Sequence, residues 1–400
     1  GTNTRRADAA PLAGRTTWRD RLRPLHRALP TDLQHASREG FSALRYLARF
    51  LFRSCRTSLT NLGRSLGRAA ARLVLRRKDR LLFRDGDVLF VPGASWDDYG
   101  AFDALARIKE KLRLSVVPIV YDVIPAKLPQ VCQPLLPKLF DPWIRKLLAQ
   151  SDLILTISRY SRGDLLSLAE ELGVPAPPVE VIRLGDSPAG FDRAARPAAL
   201  PPEVETFALC VGTFEVRKNH WLLYHVWRRL IEQHGERTPP LVLAGRMGWA
   251  VKDLLQQIQT DPRVRDRIVI LFDVTDEELS WLYRTCLFTL YPSFYEGWGL
   301  PVAESLAHGK HCICSNATSV PEVGGDLVDY HDPLDGMRCI ELAQRALFEP
   351  GYREARENRI RREFRAATWD ECTARIVPLM EQKLGVRLTG VAPAASAEAA

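Results

Sequence analysis

The sequence predicts an α/β protein made of two doubly wound domains, and three observations support this prediction. Short apolar segments typical of buried parallel strands alternate with helical segments over residues 87–184, and the same alternation recurs over residues 207–315. A segment rich in Pro and Ala, residues 190–205, separates the two series and has the composition of a linker. The chain has 400 residues and is 46% hydrophobic, which is enough for two sizeable cores.

The first domain is assigned to residues 81–198 and the second to residues 199–388. In the first, we expect strands at 87–92, 115–120, 153–157 and 179–184 and helices near 101–113, 135–149 and 159–172. In the second, we expect strands at 207–212, 240–244, 267–271, 287–292 and 311–315 and a last helix at 369–383. Because strands that alternate with helices pair in parallel, each domain should contain one parallel sheet.

Positive charge is concentrated ahead of the first domain. Residues 1–80 contain 19 Lys and Arg against 5 Asp and Glu, whereas the whole chain has a net charge of +8. Apolar residues at helical spacing beside arginines predict one or two basic amphipathic helices over residues 38–80. These helices either contact an anionic membrane surface or pack on the protein itself. At the other end, the Ala-rich residues 389–400 are expected to form a disordered tail.

Other bulk features argue against disulfides, membrane spans and metal sites. The eight cysteines include no C-x-x-C pair, and several lie in predicted strands, which fits reduced core residues and a cytoplasmic protein. No apolar run approaches the roughly 18 residues that a membrane-spanning helix needs, and no signal peptide is recognisable. Asp97 and Asp98 are adjacent rather than spaced as D-x-D, so we expect no metal site.

Residues 293–304 contain the clearest sign of chemistry. They follow an apolar strand and place Glu296, Gly297 and Gly299 in a loop and Glu304 in the helix that begins after it. The two carboxylates therefore do not share a helix face and would contact different parts of a bound molecule. The glycines allow the backbone to approach that molecule, and the free N–H groups at a helix start attract an anion. A phosphate joined to hydroxyl-rich sugars suits this arrangement.

The spacing Glu296-x7-Glu304, followed by Ser315-Asn316-x4-Pro321-Glu322-Val323, resembles the family-four retaining glycosyltransferases of the GT-B fold. Further blocks agree in order, namely Val211 to Asn219, Leu243 to Gly245 and Asp276 to Tyr283. The resemblance covers about residues 84–385. It implies two Rossmann-like domains that face each other across a cleft, a nucleotide-diphosphate sugar as donor, and a final helix that crosses back to the first domain.

The resemblance implies a diphosphate site in the second domain. Lys218 would bind the diphosphate of the donor and act in catalysis, with Arg217 beside it, because both follow a strand and open a helix. The backbone of Gly297, Gly299 and Leu300 would surround the distal phosphate.

The two glutamates take separate roles in the resemblance. Glu304 would accept hydrogen bonds from the nucleotide ribose, whereas Glu296 would face the transferred sugar and stabilise positive charge at its anomeric carbon. Asn316 would support the Glu296 loop as part of the donor site.

In the first domain, Asp122 ends a strand at the ligand-binding edge and would bind the sugar or the acceptor hydroxyl. Relatives often have His where this chain has Tyr121, and a tyrosine is a poor base at neutral pH. Some relatives also have a basic residue where this chain has Thr213, and Arg246 is a candidate to compensate. Tyr121, Thr213 and Arg246 are therefore further site candidates.

These features predict a retaining glycosyltransferase that moves a sugar from a nucleotide-diphosphate donor to a hydroxyl of a glycan or of a polyprenyl- or other lipid-linked glycan. GDP-mannose is the first choice of donor, and neither a cofactor nor a metal is expected. The reaction would take place in the cytoplasm, at the inner face of the cytoplasmic membrane if residues 38–80 bind lipid. Nucleic acid is not an expected partner.

Two other functions stay open. A sugar-nucleotide 2-epimerase shares this fold but needs histidines in the first domain, and no histidine lies between His35 and His220. A non-catalytic subunit that positions a partner enzyme is favoured by Tyr121 and Thr213 and opposed by the intact pair of glutamates. Relatives also begin with further strands that residues 1–83 lack, so the chain is either a fragment or has an abbreviated first domain.

Overall fold

The computed structural model describes residues 83–93, 101–186 and 193–388, all of which belong to one compact unit of the chain. They form two parallel sheets flanked by helices, so the predicted α/β fold with two doubly wound domains is confirmed. The predicted basic arm, residues 1–80, and the predicted tail, residues 389–400, lie outside the described residues, as do Asp97 and Asp98.

The first sheet has the strand order β1-β2-β3-β4, with every neighbouring pair parallel. Its elements are β1 Val88–Val91, α1 Ala101–Lys109, β2 Ser115–Val120, α2 Ile124–Lys127, α3 Leu136–Gln150, β3 Ile154–Thr156, α4 Arg159–Leu172 and β4 Val179–Val181. The predicted strand at 179–184 is three residues shorter, because Ile182 and Leu184 leave the sheet and pack in the core around the last helix.

The second sheet has six parallel strands in the order β10-β9-β8-β5-β6-β7. The elements are β5 Ala208–Val211, α5 His220–His234, β6 Leu241–Gly245, α6 Lys252–Thr260, β7 Ile268–Phe272, α7 Asp276–Thr285, β8 Thr289–Tyr291, α8 Leu300–Ala307, β9 Cys312–Ser315, α9 Val320–Gly324, β10 Asp329–His331, α10 Gly336–Phe348, α11 Tyr352–Glu363 and α12 Trp369–Leu384. Sequence analysis missed β10, because this short edge strand is polar and lacks an apolar run.

Apolar residues cover both faces of each sheet. Successive residues of β5 illustrate this, since Ala208 and Cys210 belong to one core and Leu209 to another. Continuous apolar runs are typical of parallel strands buried on both faces, which is why the strands could be predicted. Part of the predicted linker also belongs to the second domain, where Leu200 and Val204 are buried in its core.

The last helix, α12, crosses to the first domain as the resemblance implied. Its residues Cys372, Ile376 and Met380 share an apolar core with the first sheet, including Val117 and Leu155. The approach at its start is close, because a Cβ atom on Gly185 would lie 2.6 Å from the Trp369 ring. The helix begins with a capping box formed by Thr368 and Glu371.

No helix within the described ranges is long and apolar enough to cross a membrane. The cysteines of these ranges are free thiols, and all except the half-buried Cys132 lie in the cores.

Substitution of Ile376 tests whether α12 stabilises the first domain. Ile376→Ala should lower the free energy of unfolding by about 2–4 kcal/mol, because the lost side chain leaves a cavity against the first sheet. Arg375→Ala, at the exposed neighbouring position, serves as the control and should change stability by less than about 0.5 kcal/mol. Urea unfolding measures both variants, and equal midpoints would contradict the crossing helix as a stabilising element.

Candidate functional site

The candidate site lies at the carboxyl edge of the second sheet, where the loops after β5 and β8 meet. The two strands are neighbours in the sheet, so both loops emerge at the same edge, where open α/β sheets bind ligands. Lys218 ends a short 3₁₀ turn after β5, and α5 begins after Asn219. After β8, Gly299 precedes α8 with a φ of 122°, a conformation that favours glycine, and no side chain caps that helix start.

Glu296 forms two ion pairs in this site. Its side chain is only 8% exposed. Lys218 Nζ lies 2.8 Å from Glu296 Oε1, and Arg217 Nη1 lies 2.7 Å from Glu296 Oε2. Burial would raise the pKa of the Glu296 carboxyl, but the charges of Lys218 and Arg217 hold this pKa at about 2. Glu296 is therefore an ionised carboxylate at neutral pH.

Arg217 and Lys218 have further partners besides Glu296. The Arg217 guanidinium also pairs with the buried carboxylate of Glu215, and it donates a hydrogen bond to the Tyr295 carbonyl oxygen at 2.7 Å. Lys218 Nζ donates to the Tyr291 hydroxyl at 2.7 Å. We call Glu215, Arg217, Lys218 and Glu296 the ion-pair cluster. Sequence analysis did not assign Glu215 or Tyr291. The partner of Tyr291, Lys218, lies 73 residues away in the chain, and nothing in the spacing of Glu215 and Arg217 shows that the two side chains pair.

Two hydroxyl side chains hold the Glu296 loop. The backbone N–H of Glu296 donates to Thr318 Oγ1 at 2.9 Å, and Ser319 Oγ lies 2.8 Å from the Glu296 carbonyl oxygen. The side chain of Asn316, which was expected to support the loop, is exposed, and its backbone N–H donates to the His331 carbonyl oxygen. The side chains that hold the loop, Thr318 and Ser319, lie two and three residues further along the chain.

Glu304 has a different environment from Glu296. It lies in α8, is 8% exposed, and accepts a hydrogen bond of 2.7 Å from the Tyr283 hydroxyl. Burial raises the pKa of Glu304 to about 7, against an ordinary value of 4.5, although the Tyr283 hydrogen bond lowers it. Glu304 is therefore partly protonated near neutral pH.

The Glu296 loop packs closely on the first domain. A Cβ atom on Gly297 would lie 2.7 Å from the Tyr121 carbonyl oxygen and 3.1 Å from Asp122 Cβ, so only glycine permits this approach. Ser161 Oγ, in α4, lies 3.0 Å from the Tyr121 carbonyl oxygen and 3.1 Å from that of Gly297.

Asp122 and Tyr121 point to different partners. Asp122 accepts a hydrogen bond of 3.0 Å from the Ile124 backbone N–H, and burial raises the pKa of its carboxyl. The Tyr121 hydroxyl donates to the Pro92 carbonyl oxygen at 2.6 Å. Asp122 therefore lies beside the Glu296 loop of the second domain, and its carboxylate accepts one backbone hydrogen bond. The Tyr121 hydroxyl instead donates its hydrogen bond to the carbonyl oxygen of the residue that follows β1.

Thr213 and Arg246 follow neighbouring strands, β5 and β6. The Phe214 N–H donates to the Arg246 carbonyl oxygen at 2.8 Å, while the Arg246 side chain is exposed. A Cβ atom on Gly212 would lie 3.5 Å from Lys218 Cδ, so the backbone beside Thr213 borders the ion-pair cluster. Within the described ranges, no three His, Cys, Asp or Glu side chains are grouped in a way that could hold a metal ion.

Three contacts join the second domain to the first. Glu322, in α9, accepts hydrogen bonds from the backbone N–H groups of Arg159 at 2.9 Å and Tyr160 at 2.8 Å, the first residues of α4. Trp249 Nε1 donates to the Val131 carbonyl oxygen at 2.7 Å. Trp298 is buried in the apolar core shared by the first sheet and α12. Sequence analysis quoted Glu322 as part of a motif, but its partners lie more than 160 residues away.

Comparison with known proteins agrees with this architecture. Residues 192–334 match the model of the family described as glycosyl transferases group 1. The O-antigen chain mannosyltransferase B of Escherichia coli is 32% identical over 237 residues, which are 58% of this chain and 60% of that protein. The serotype-specific mannosyltransferase WbdA of Escherichia coli is 30% identical over 148 residues, 36% of this chain and 18% of that protein. The chain thus matches less than two thirds of the length of these relatives.

Solved structures show the same fold. A sucrose-phosphate synthase from Thermosynechococcus elongatus has a TM-score of 0.56 and 17% identity, with 74% of each chain covered. An α,α-trehalose-phosphate synthase from Burkholderia xenovorans has a TM-score of 0.56 and 14% identity, covering 76% of this chain and 74% of that one. The fold is therefore that of the GT-B glycosyltransferases, as the sequence predicts.

Glu322→Gln tests the contact that joins α9 to α4. An amide presents one oxygen acceptor where the carboxylate presents two, and it removes a negative charge from a helix start. We expect the free energy of unfolding to fall by about 1–2 kcal/mol and the radius of gyration in X-ray scattering to rise. Glu354→Gln, an exposed first-turn glutamate of α11, is the control. A variant with unchanged stability and unchanged scattering would argue against this contact.

The raised pKa of Glu304 predicts a pH dependence of stability. Between pH 4.5 and 7 the folded protein binds the Glu304 proton more tightly than the unfolded chain does, so this carboxyl lowers stability as pH rises across that interval. The total effect is on the order of 3 kcal/mol. Glu304→Gln, which keeps an oxygen acceptor for Tyr283, should therefore gain stability relative to the wild type from pH 5 to 8. Parallel unfolding profiles of the two proteins over this range would contradict the assignment.

Proposed function

We propose that the protein is a retaining glycosyltransferase that transfers a sugar from a nucleotide diphosphate to a hydroxyl of a glycan. The observation that supports this most directly is the ion-pair cluster at the carboxyl edge of the second sheet. Two cations, Lys218 and Arg217, meet the buried carboxylate of Glu296 there, beside the uncapped start of α8. Such a site offers both positive charge for a diphosphate and an acceptor for sugar hydroxyls.

The diphosphate of the donor would bind where Lys218 and Arg217 are already held. In the free protein the negative charges of Glu296 and Glu215 balance these cations. Negative charge develops on the diphosphate as it departs, so cations fixed before the reaction stabilise the transition state without reorganisation. Backbone N–H groups at Gly299 and Leu300 would contribute further, and we propose that these groups replace a divalent metal.

Glu296 and Asp122 would act on the sugar from opposite domains. The low pKa keeps Glu296 ionised, so it can accept hydrogen bonds from sugar hydroxyls and stabilise positive charge at the anomeric carbon. Asp122 would bind the sugar or the acceptor hydroxyl. We propose a front-side displacement in which the bond to the departing diphosphate breaks, the acceptor oxygen bonds to the same face, and the diphosphate takes the acceptor proton.

Glu304 would accept hydrogen bonds from the ribose. Its carboxyl group is buried one helical turn from the start of α8 and already receives the Tyr283 hydroxyl. Because only the ionised form accepts bonds at both oxygens, donor binding should favour loss of the Glu304 proton.

The two relatives favour mannose as the sugar, since both are mannosyltransferases and one of them is an O-antigen chain mannosyltransferase. We therefore propose GDP-mannose as donor and a surface polysaccharide, lipid-linked during its assembly, as acceptor. The cytoplasmic membrane face, reached through residues 38–80, is the proposed location. The ion-pair cluster argues against a non-catalytic role, and the lack of histidines between His35 and His220 argues against an epimerase.

Lys218→Ala tests the proposed diphosphate site. The transfer rate should fall about a hundredfold, because the loss of a charged contact made to the developing anion costs roughly 3 kcal/mol of transition-state stabilisation. Initial rates with GDP-mannose and a mannan acceptor, together with calorimetric affinity for GDP, measure the effect. Lys252→Ala, at an exposed position in α6, is the control and should keep full activity.

A folded Lys218→Ala variant with the wild-type transfer rate and GDP affinity would contradict the role of Lys218 in diphosphate binding. Thermal unfolding must accompany the assay, because Lys218 also neutralises a buried carboxylate. Lys218→Arg keeps that charge and should retain more stability than the alanine variant.

A further inference from the structure

A cavity of about 170 Å³ lies beside the ion-pair cluster, at the carboxyl edge of the first sheet. Among the described residues, those with charged side chains in its lining are Asp122, Glu215 and Arg217. Most of the rest of its wall is aliphatic or aromatic, and the residues that matter here are Ile119, Ile124, Leu136, Phe140, Trp143 and Trp249. We call this cavity the apolar pocket.

The domain closure completes the apolar pocket. Ile124, Phe140 and Trp143 are buried residues of the first domain, whereas Trp249 comes from the second. The hydrogen bond from Trp249 Nε1 to the Val131 carbonyl oxygen holds this indole against the first domain. A ligand in the pocket is therefore enclosed only when the two domains meet, which is the state in which Asp122 and Arg217 face the same space.

The composition of the wall determines what the pocket can bind. A ligand hydroxyl placed against the aliphatic wall loses its water partners without replacement, which is unfavourable. A methyl group at the same place is favoured, because its apolar surface is removed from water. Among the described charged groups of the lining, the two carboxylates of Asp122 and Glu215 outnumber the one guanidinium of Arg217, which disfavours a phosphate or carboxylate in the pocket. The volume exceeds the roughly 30 Å³ share of one liquid water several-fold, which suits part of one sugar ring rather than a long lipid chain.

We infer that the apolar pocket binds a methyl-bearing, uncharged sugar of the acceptor, with its methyl group against Leu136 and the aromatic wall and its reacting hydroxyl toward Asp122. The methyl group belongs either to a 6-deoxy sugar or to an acetamido substituent, and both present the same chemistry to the wall. This inference rests on the proposed function and adds the class of acceptor. It makes Leu136 a residue that determines specificity.

Paired acceptors test the inference. At saturating donor, kcat/KM is measured for methyl α-D-mannoside against its 6-deoxy analogue, and for methyl glucoside against the corresponding N-acetylglucosaminide. We expect the methyl-bearing member of at least one pair to be preferred about tenfold or more, and the responding pair identifies the source of the methyl group. A 6-phosphorylated mannoside should be a poor acceptor.

A matched pair of variants locates the preference. Leu136→Asn places a polar side chain of similar size in the wall and should abolish the preference. Leu135→Asn changes the adjacent residue, which is 62% exposed and is not among the described lining residues, and should leave the preference unchanged. Equal kcat/KM within both pairs, or a preference that survives Leu136→Asn, would overturn the inference.

A second measurement does not depend on turnover. Cys132 lines the pocket and is half-buried, so iodoacetamide should alkylate it slowly and the methyl-bearing sugar should protect it. Mass spectrometry of the Cys132 peptide reports the protection. Protection of Cys132 without sugar transfer would support binding in the apolar pocket and overturn the proposed function. Sugar transfer without preference or protection would support the proposed function and overturn binding in the apolar pocket. If the methyl-bearing sugar neither protects Cys132 nor is preferred as acceptor, the inference is overturned.

Discussion

The buried carboxylate of Glu296 is the constraint on which the rest of the site depends. An isolated charge at this depth would be prohibitive, and Lys218 and Arg217 make it tolerable only because the loops after β5 and β8 emerge side by side. Loss of one partner of such a buried pair typically costs about 3–5 kcal/mol. The cluster therefore joins the two loops energetically, while Thr318 and Ser319 determine where the Glu296 backbone lies.

The same loop connects the two domains. Gly297 approaches the Tyr121 backbone more closely than any residue with a Cβ atom could, and the following Trp298 is buried in a core of the first domain. Glu322 and Trp249 add hydrogen bonds on either side of this contact. Domain closure thus brings Asp122 toward the ion-pair cluster. In enzymes generally, the closing of a cleft excludes water from the reacting atoms and completes the catalytic arrangement.

Glu296 and Glu304 are almost equally buried, yet the pKa of one is about 2 and that of the other about 7. Their partners explain the contrast. Glu296 meets two cations, whereas Glu304 meets a neutral tyrosine hydroxyl, which does not offset the cost of burying its charge. The two carboxylates are suited to different tasks, a permanent negative charge beside the proposed sugar site and a group near neutral pH beside the proposed ribose site.

The amino-acid sequence by itself determined the fold class, nine of the strands in the described ranges and the segments that form the site, because apolar periodicity and glycine–proline punctuation are local signals. It also led to the predictions for Lys218, Glu296 and Glu304, which lie in the segments that follow β5 and β8. The polar edge strand Asp329–His331 has no such signal. Only the tertiary structure decided the partners: Glu215 with Arg217, Thr318 with Glu296, Glu322 with α4, and the apolar wall beside Asp122. Except for the Glu215–Arg217 pair, which is two residues apart, these contacts join segments that are well separated in the chain. Burial and charge in three dimensions, which sequence spacing does not record, determine their chemistry.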